Sequence, residues 1–332
     1  MDTPKAVWLD CDPGHDDAIA IIVAGYEQKL RLLGISTIGG NQSVDKITTN
    51  ALLVLEAAGL EDVDVVQGQS TPLIRAPKLC PEIHGETGLD RKEGGHIFGS
   101  AAPKKHPVAG KAVNVMYEAI SSEFSKSKEK ITLIFTGALT NGAVLFIVYP
   151  EVKEMVDVVL MGGCMGLGNT GPVMEFNIQT DPEAAKSVFE SGVNLTMVPL
   201  EVTHTVLTTT EVLARLKGEK LTPFRQAVAD IVTFFAETYR DVFLFDDPPM
   251  HDPCAVVYVS HPHLFEVKPL RVEIETASPL SSGQTVCDVW GFFGKPPNCN
   301  VAMKVDVPKL WNVVIDAVSR ADQKSPLNRT RP

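Results

Sequence analysis

The run Ala6-Val-Trp-Leu-Asp-Cys-Asp-Pro-Gly-His-Asp-Asp-Ala-Ile-Ala-Ile-Ile-Val-Ala24 holds the fold in miniature. Residues 6–9 are a short apolar run of the kind that forms a strand buried on both faces, and residues 16–28 carry helical spacing. Between them Pro13-Gly14 breaks the chain and carboxylates crowd the turn. The same unit recurs downstream: residues 32–38, 63–66, 131–135, 156–160 and 195–198 read as strands, and 44–58, 108–124, 139–149 and 182–190 as helices. Asp181-Pro182 supplies an N-cap with proline at the first helical position, and Ser191-Gly192 supplies a stop. Strand alternating with helix predicts an α/β fold, a mostly parallel open sheet with a Rossmann-like core and helices on both faces. In such sheets ligands bind beyond the carboxyl ends of the strands, and the acidic turn falls there.

Past residue 200 the pattern loosens. Residues 208–217, 221–239 and 310–321 read as helices, and 267–275, 285–290 and 300–305 as short strands. No Ser/Gly linker, low-complexity tract or repeat divides the 332 residues, so a single domain over 1–325 with a short tail at 326–332 is expected. Two segments read as loops placed to cover a site: 75–107, rich in Gly, Pro and His, and 240–250, broken by Asp246-Asp-Pro-Pro249.

Hydrophobic residues at 44% and charged residues at 21% exclude a mainly disordered or collagen-like chain. Lys+Arg 30 against Asp+Glu 41 leaves a net charge of -11, and no dense basic run offsets it, so nucleic acid is not expected as a partner. No basic leader followed by an apolar stretch is visible, nor an apolar run long enough to span a bilayer. The 6 cysteines are scattered without a CxxC pair, which suits reduced thiols. A cytoplasmic protein with no membrane partner is the expectation.

The acidic turn carries the chemistry. Asp10, Asp12, Asp16 and Asp17 repel one another unless a cation neutralises them, whereas helix capping accounts for only one or two of them. Oxygen ligands without Cys or His at zinc spacing favour Ca2+ or Mg2+. An EF-hand loop started at Asp10 fails, because His15 falls where Gly is required and Ile21 where the bidentate Glu belongs. A haloacid-dehalogenase-like, Mg-dependent phosphatase also opens with a strand ending in Asp-x-Asp. That reading is the alternative; it leaves Asp16-Asp17 unexplained, and the sequence singles out no Lys for a transferred phosphate.

Asp10 to Ala18 resembles the signature of the nucleoside hydrolases, calcium-dependent N-ribohydrolases that cleave ribonucleosides to ribose and free base. Gly39-Gly40-Asn41-Gln42, Thr136-Gly-Ala-Leu-Thr-Asn141, Met161-Gly162-Gly163 with Gly168-Asn169, Glu175-Phe-Asn-Ile178, Asp181-Pro-Glu-Ala-Ala185 and His251-Asp252-Pro253 resemble further blocks of that family, in its order. His251 before Asp252 points to the inosine-uridine or uridine-preferring branch. The resemblance implies a Ca2+ held by Asp12, Asp17, Asp252 and the Thr136 carbonyl, with Asp12 as general base. It implies that Asp16, Asn41, Asn169, Glu175 and Asn177 hold the ribose hydroxyls, that Met161 adds a backbone contact, and that Asp10 supports the loop from behind. His84 would stand near the base, His251 would serve the leaving group, and Tyr239 would share its proton path or stack on the base. Substrates would be uridine and inosine, with xanthosine or cytidine beside them, in purine and pyrimidine salvage or catabolism. A homodimer or homotetramer is also implied.

The residue types suit that chemistry. Cleaving an N-glycosidic bond needs an aimed water, relief of positive charge on the sugar, and neutralisation of the departing base. Calcium accepts roughly 6 to 8 oxygens, enough for a vicinal diol and a water together. Carboxylate and amide side chains both fit a sugar edge that donates and accepts. Blander readings stand beside these: Asn41 as a turn residue, Asn169 as a left-handed loop residue, and Glu175 and Asn177 as one solvent-facing side of an extended stretch. A non-catalytic nucleoside-binding protein would carry the same sugar contacts. Two positions depart from the family pattern: His15 replaces a usual aliphatic residue, and Met174 stands where a small residue often precedes Glu-Phe-Asn.

Overall fold

A computed structural model describes residues 3–99, 101–234 and 236–329. The first strand, β1 (Lys5–Cys11), alternates its side chains between two layers, with Val7, Leu9 and Cys11 in one core and Trp8 in the other. Around it run α1 (His15–Tyr26), β2 (Leu30–Thr37), α2 (Val44–Ala58), β3 (Val65–Gln67), the short α3 (Pro81–His84), α4 (Ala112–Ser127), β4 (Ile131–Phe135), α5 (Thr140–Val148) and β5 (Val156–Met161). Then come α6 (Phe176–Thr180), α7 (Pro182–Phe189), β6 (Asn194–Val198), α8 (Leu200–Thr203), α9 (Thr210–Lys217), α10 (Pro223–Phe234), α11 (Ala236–Phe243) and α12 (Pro253–Ser260). β7 (Phe265–Ile274), β8 (Thr285–Asp288), β9 (Cys299–Val305) and α13 (Val307–Lys324) close the chain.

The strands form one 9-stranded sheet in the order β3-β2-β1-β4-β5-β6-β9-β7-β8. Pairings from β3 across to β9 are parallel, and β7 runs antiparallel to both β9 and β8. One face is covered by α1, α2, α10, α12 and α13, the other by α4, α5 and α7, each over its own apolar cluster. This is the mostly parallel α/β sheet that the alternation predicts.

Departures have local causes. The helix expected over 108–124 starts at Ala112, because Val108 N–H donates to Val65 O at 2.7 Å and holds the preceding residues extended along β3. The helix expected over 221–239 corresponds to α10 and α11, and α11 runs on to Phe243, into the segment read as loop. It stops at Leu244, which takes a left-handed φ of 61°. The rest of that loop is pinned: Thr208 N–H donates to Pro248 O at 2.8 Å and Met250 N–H to Val206 O at 2.9 Å. Beyond residue 325 a turn of Pro326–Asn328 packs back, with Asn328 Nδ2 donating to Asp322 O at 2.6 Å. Among the described residues all the cysteines are unbridged, five buried and Cys287 partly so, and no helix is long and apolar enough to cross a membrane.

Candidate active site

The carboxyl ends of β1, β2, β4 and β5 open on one side of the sheet, and the candidate residues collect there. Asp12 follows β1, Asp16 and Asp17 form the first turn of α1, and Asp252 heads α12 just before Pro253. Carboxylate oxygens of Asp16, Asp17 and Asp252 lie within 4.8 Å of one another. Asp12 Oδ2 accepts from Asn41 N–H at 2.8 Å, while Asp12 Oδ1 is buried with no hydrogen-bond partner among the described residues. Burial, reinforced by the neighbouring carboxylates, pushes Asp17 up to about 7 and Asp12 and Asp252 well above the usual range; burial also raises Asp16. A buried acidic cluster with one unsatisfied oxygen fits a hard divalent cation. The close triad includes Asp16, which the sequence reading gives to the sugar, and Asp12 adjoins it from the β1 side.

Two glycines make room for Asp12. A Cβ on Gly40 would overlap Asp12 Oδ2, and one on Gly137 would lie 2.6 Å from Asp12 Oδ1. Thr136, at the end of β4, donates its hydroxyl to Asp17 Oδ1 at 2.7 Å, and its carbonyl accepts from Asn177 Nδ2 at 2.9 Å. That carbonyl keeps its second lone pair for a cation. Asp10 lies elsewhere. Strand alternation turns it toward α5, where its Oδ2 accepts from the Ser36 hydroxyl and from Asn141 Nδ2 at 2.7 Å, and burial lifts its pKa to about 7. Asp10 does not line the cavity, so the nucleophile that a dehalogenase-like phosphatase needs has no access to substrate.

Above this floor is a cavity of about 330 Å³, room for one small molecule. Asp16, Asn41, His84, Met161, Asn169, Glu175, Asn177 and Tyr239 all line it, together with Thr136, His251 and Asp252, whereas Asp12 and Asp17 are buried behind its surface. Glu175 caps α6: Oε1 accepts from Asn177 N–H at 2.9 Å, and Oε2 from Gly163 N–H at 2.9 Å and Ile178 N–H at 3.2 Å. Burial nevertheless outweighs these bonds and lifts its pKa to about 7. Asn177 Nδ2 also donates to Met161 O at 3.1 Å, tying the ends of β4 and β5 together. Glu175 and Asn177 are therefore a buried helix cap rather than an extended exposed stretch. Asn169 is not left-handed, and its Oδ1 accepts from Phe176 N–H at 3.0 Å.

At the far end Tyr239 Oη and His251 Nε2 are 2.6 Å apart. Burial holds His251 down to about 3 and pushes Tyr239 well above its ordinary value. His84 is propped by the unusual His15, whose ring stacks on Phe234 at 4.0 Å and lies 5.6 Å from that of His84. The His15 Nε2–H donates to Asp90 O at 2.9 Å, a carbonyl that can only accept. Lys78, Glu82, Phe176 and Phe243 also line the cavity, and sequence reasoning missed them. Phe176 was legible as the residue between Glu175 and Asn177; Lys78 and Glu82 sit in the segment read as a Gly/Pro-rich loop, and Phe243 lies beyond the end expected for its helix.

A floor of buried carboxylates beneath amide and carboxylate side chains suits a small ligand whose hydroxyls both donate and accept, and the relatives of the chain supply the reaction. The class is ribonucleoside N-glycosyl hydrolase. The family model "Inosine-uridine preferring nucleoside hydrolase" matches residues 7–312, and the chain belongs to that family. It is 42% identical over 322 residues to a Dictyostelium discoideum protein named "Probable ribonucleoside hydrolase", covering 94% of each chain. It is 40% identical to the "Inosine-uridine preferring nucleoside hydrolase" of Leishmania major over 322 residues, 96% of this chain and 98% of that one. The solved purine-preferring ribonucleoside hydrolase from Gardnerella vaginalis superposes with a TM-score of 0.86 at 28% identity, covering 96% of this chain and 99% of the other.

Proposed function

We propose that this ribonucleoside hydrolase acts on uridine and inosine, with cytidine and xanthosine as lesser substrates, and that its reaction depends on Ca2+. The observation that carries the reading is the buried cluster of Asp16, Asp17 and Asp252 carboxylates, whose oxygens lie within 4.8 Å of one another. Asp12 is electrostatically linked to it, and its Oδ1 is buried without a hydrogen-bond partner among the described residues. Asp12, Asp17, Asp252 and the Thr136 carbonyl would hold the ion, leaving Asp16 for a ribose hydroxyl. Held there, a divalent cation would supply positive charge that attracts hydroxyl oxygens and makes a nearby water more acidic. Asp12 takes the proton of the attacking water. Asn41, Asn169, Glu175 and Asn177 fix the ribose, so orientation lowers the barrier before any bond breaks. The hydrogen-bonded pair of Tyr239 and His251 supplies a proton to the departing base, with His84 beside it. Names of relatives support the uridine and inosine preference. A homodimer or homotetramer and a cytoplasmic setting complete the proposal.

The test is release of reducing sugar from uridine, inosine, cytidine and xanthosine, with calcium and with a chelator. Turnover of uridine and inosine that chelation abolishes and calcium restores is expected. Binding without turnover makes the protein a nucleoside carrier, and full activity after exhaustive chelation removes the metal from the mechanism.

A further inference from the structure

His251 touches two hydroxyls, one on each ring nitrogen. Nε2 meets Tyr239 Oη at 2.6 Å, and Nδ1 meets Thr203 Oγ1 at 2.8 Å. Thr203 is the last residue of α8, wholly buried, and contributes nothing to the cavity lining. The direction of its hydrogen bond decides which imidazole nitrogen carries the proton. Among the described residues, the acceptor within reach of the Thr203 hydroxyl apart from His251 is Leu200 O, at 3.5 Å. That contact, at 3.5 Å against 2.8 Å to Nδ1, stands at the limit of a hydrogen bond. The short contact to Nδ1 is where the Thr203 hydrogen belongs.

We infer that Thr203 is a positioning residue that donates to His251 Nδ1 and so holds the imidazole as its Nε2–H tautomer. Nε2–H then donates to the Tyr239 oxygen, and the phenol's own hydrogen is turned away from the imidazole in a residue that lines the cavity. This rests on the proposed hydrolysis and sharpens it. As the N-glycosidic bond breaks, its electron pair goes to the base, which takes the Tyr239 hydrogen. The phenolate so formed keeps the His251 Nε2–H bond. The attacking water gives its oxygen to the anomeric carbon and a proton to Asp12. When the products leave, Tyr239 regains a proton from solvent and Asp12 releases one. With the tautomer reversed, the Tyr239 hydrogen is spent on Nε2 and the base lacks its donor.

Thr203→Val keeps the shape and removes the donor; Thr203→Ser keeps the donor. Uridine needs a proton on its leaving group, whereas 4-nitrophenyl β-D-ribofuranoside does not. In calcium-saturated Thr203→Val, kcat on uridine should fall about tenfold to a hundredfold, kcat on the nitrophenyl riboside should stay within about threefold, and Thr203→Ser should restore uridine turnover. Equal losses on both substrates, no loss on either, or a Ser variant as poor as Val each overturn the assignment. A direct readout is the 15N spectrum of ring-labelled histidine, assigned through His251→Asn: wild type should show a bare Nδ1 and a protonated Nε2, and Thr203→Val should lose that pattern. A protonated Nδ1 in wild type overturns the inference whatever the rates. A wild type that turns over neither substrate overturns the hydrolase reading itself, while the spectrum still judges the tautomer.

Discussion

Asp12 shows how one side chain is prepared by its neighbours. One oxygen is held by the Asn41 N–H, the other faces no partner, and two glycines leave the space in which it sits. Asp12→Ala should lower kcat by roughly 10²–10⁴-fold with unchanged circular dichroism; near-normal turnover by the folded variant would remove it as base. Asp17→Asn isolates a different consequence. Crowded buried carboxylates repel one another, so losing one charge should raise the melting temperature in chelator while shrinking the increment that calcium adds. Melting curves with and without calcium read both, and a lower melting temperature in chelator would mean that Asp17 stabilises the metal-free fold. Gly40→Ala should cost activity although no proposed ligand is itself substituted, because its Cβ would displace the Asp12 carboxylate.

The loop after β3 is fastened to neighbouring elements by a few bonds. Arg75 pairs with Glu183 on α7 through Nε at 2.8 Å and a terminal nitrogen at 2.6 Å, and also donates to Thr276 O at 2.7 Å, while Leu73 N–H donates to Asp181 Oδ2 at 2.8 Å. This loop carries Lys78 and His84 to the cavity. Arg75→Ala should therefore raise KM several-fold with a smaller change in kcat, and should speed amide exchange in residues 73–84; unchanged exchange would show that the remaining bonds suffice. The sequence had signalled a loop here, but not its anchors, since ion pairs between distant elements leave no local pattern. Strands β1 to β6 were legible because each is a short apolar run beside a turn. Helix α12 was not: Pro253–Ser260 is buried nearly all round, so it lacks the polar face that marks a surface helix. The reversal at β7 was hidden because strand direction is set by partners rather than by composition. Alternation could not separate Asp10 from Asp12, which are two residues apart and share a face in an extended strand; what parts them is that β1 ends at Cys11, and that end is set by the pairing of Cys11 with Thr37.

Across the whole molecule the buried ionisable groups form two opposed sets. Burial holds His15, His96 and His204 down to about 4. A lowered imidazole pKa contributes stability that is present above its ordinary value near 6.5 and lost as pH falls through about 4. Asp10, Asp17 and Glu175 lie at about 7, raised by burial, so their contribution is present below the ordinary carboxylate range and lost as pH rises through 7. Calcium binds deprotonated carboxylates and should act through Asp17 in this set, together with Asp12 and Asp252, and not through the histidines. The melting-temperature gain from calcium should be small near about pH 4.5 and grow as pH rises through 7. The acid-side decline below about pH 6.5 should persist with calcium present. His96 tests that branch away from the acidic floor: its Nδ1 accepts from Phe98 N–H at 3.0 Å and its Nε2 meets Asn50 Oδ1 at 3.0 Å, so protonation must break the first bond. His96→Gln should flatten the acid-side slope and leave the calcium increment at pH 8 unchanged. A calcium increment independent of pH would contradict the burial of neutral carboxylic acids in the metal-free site.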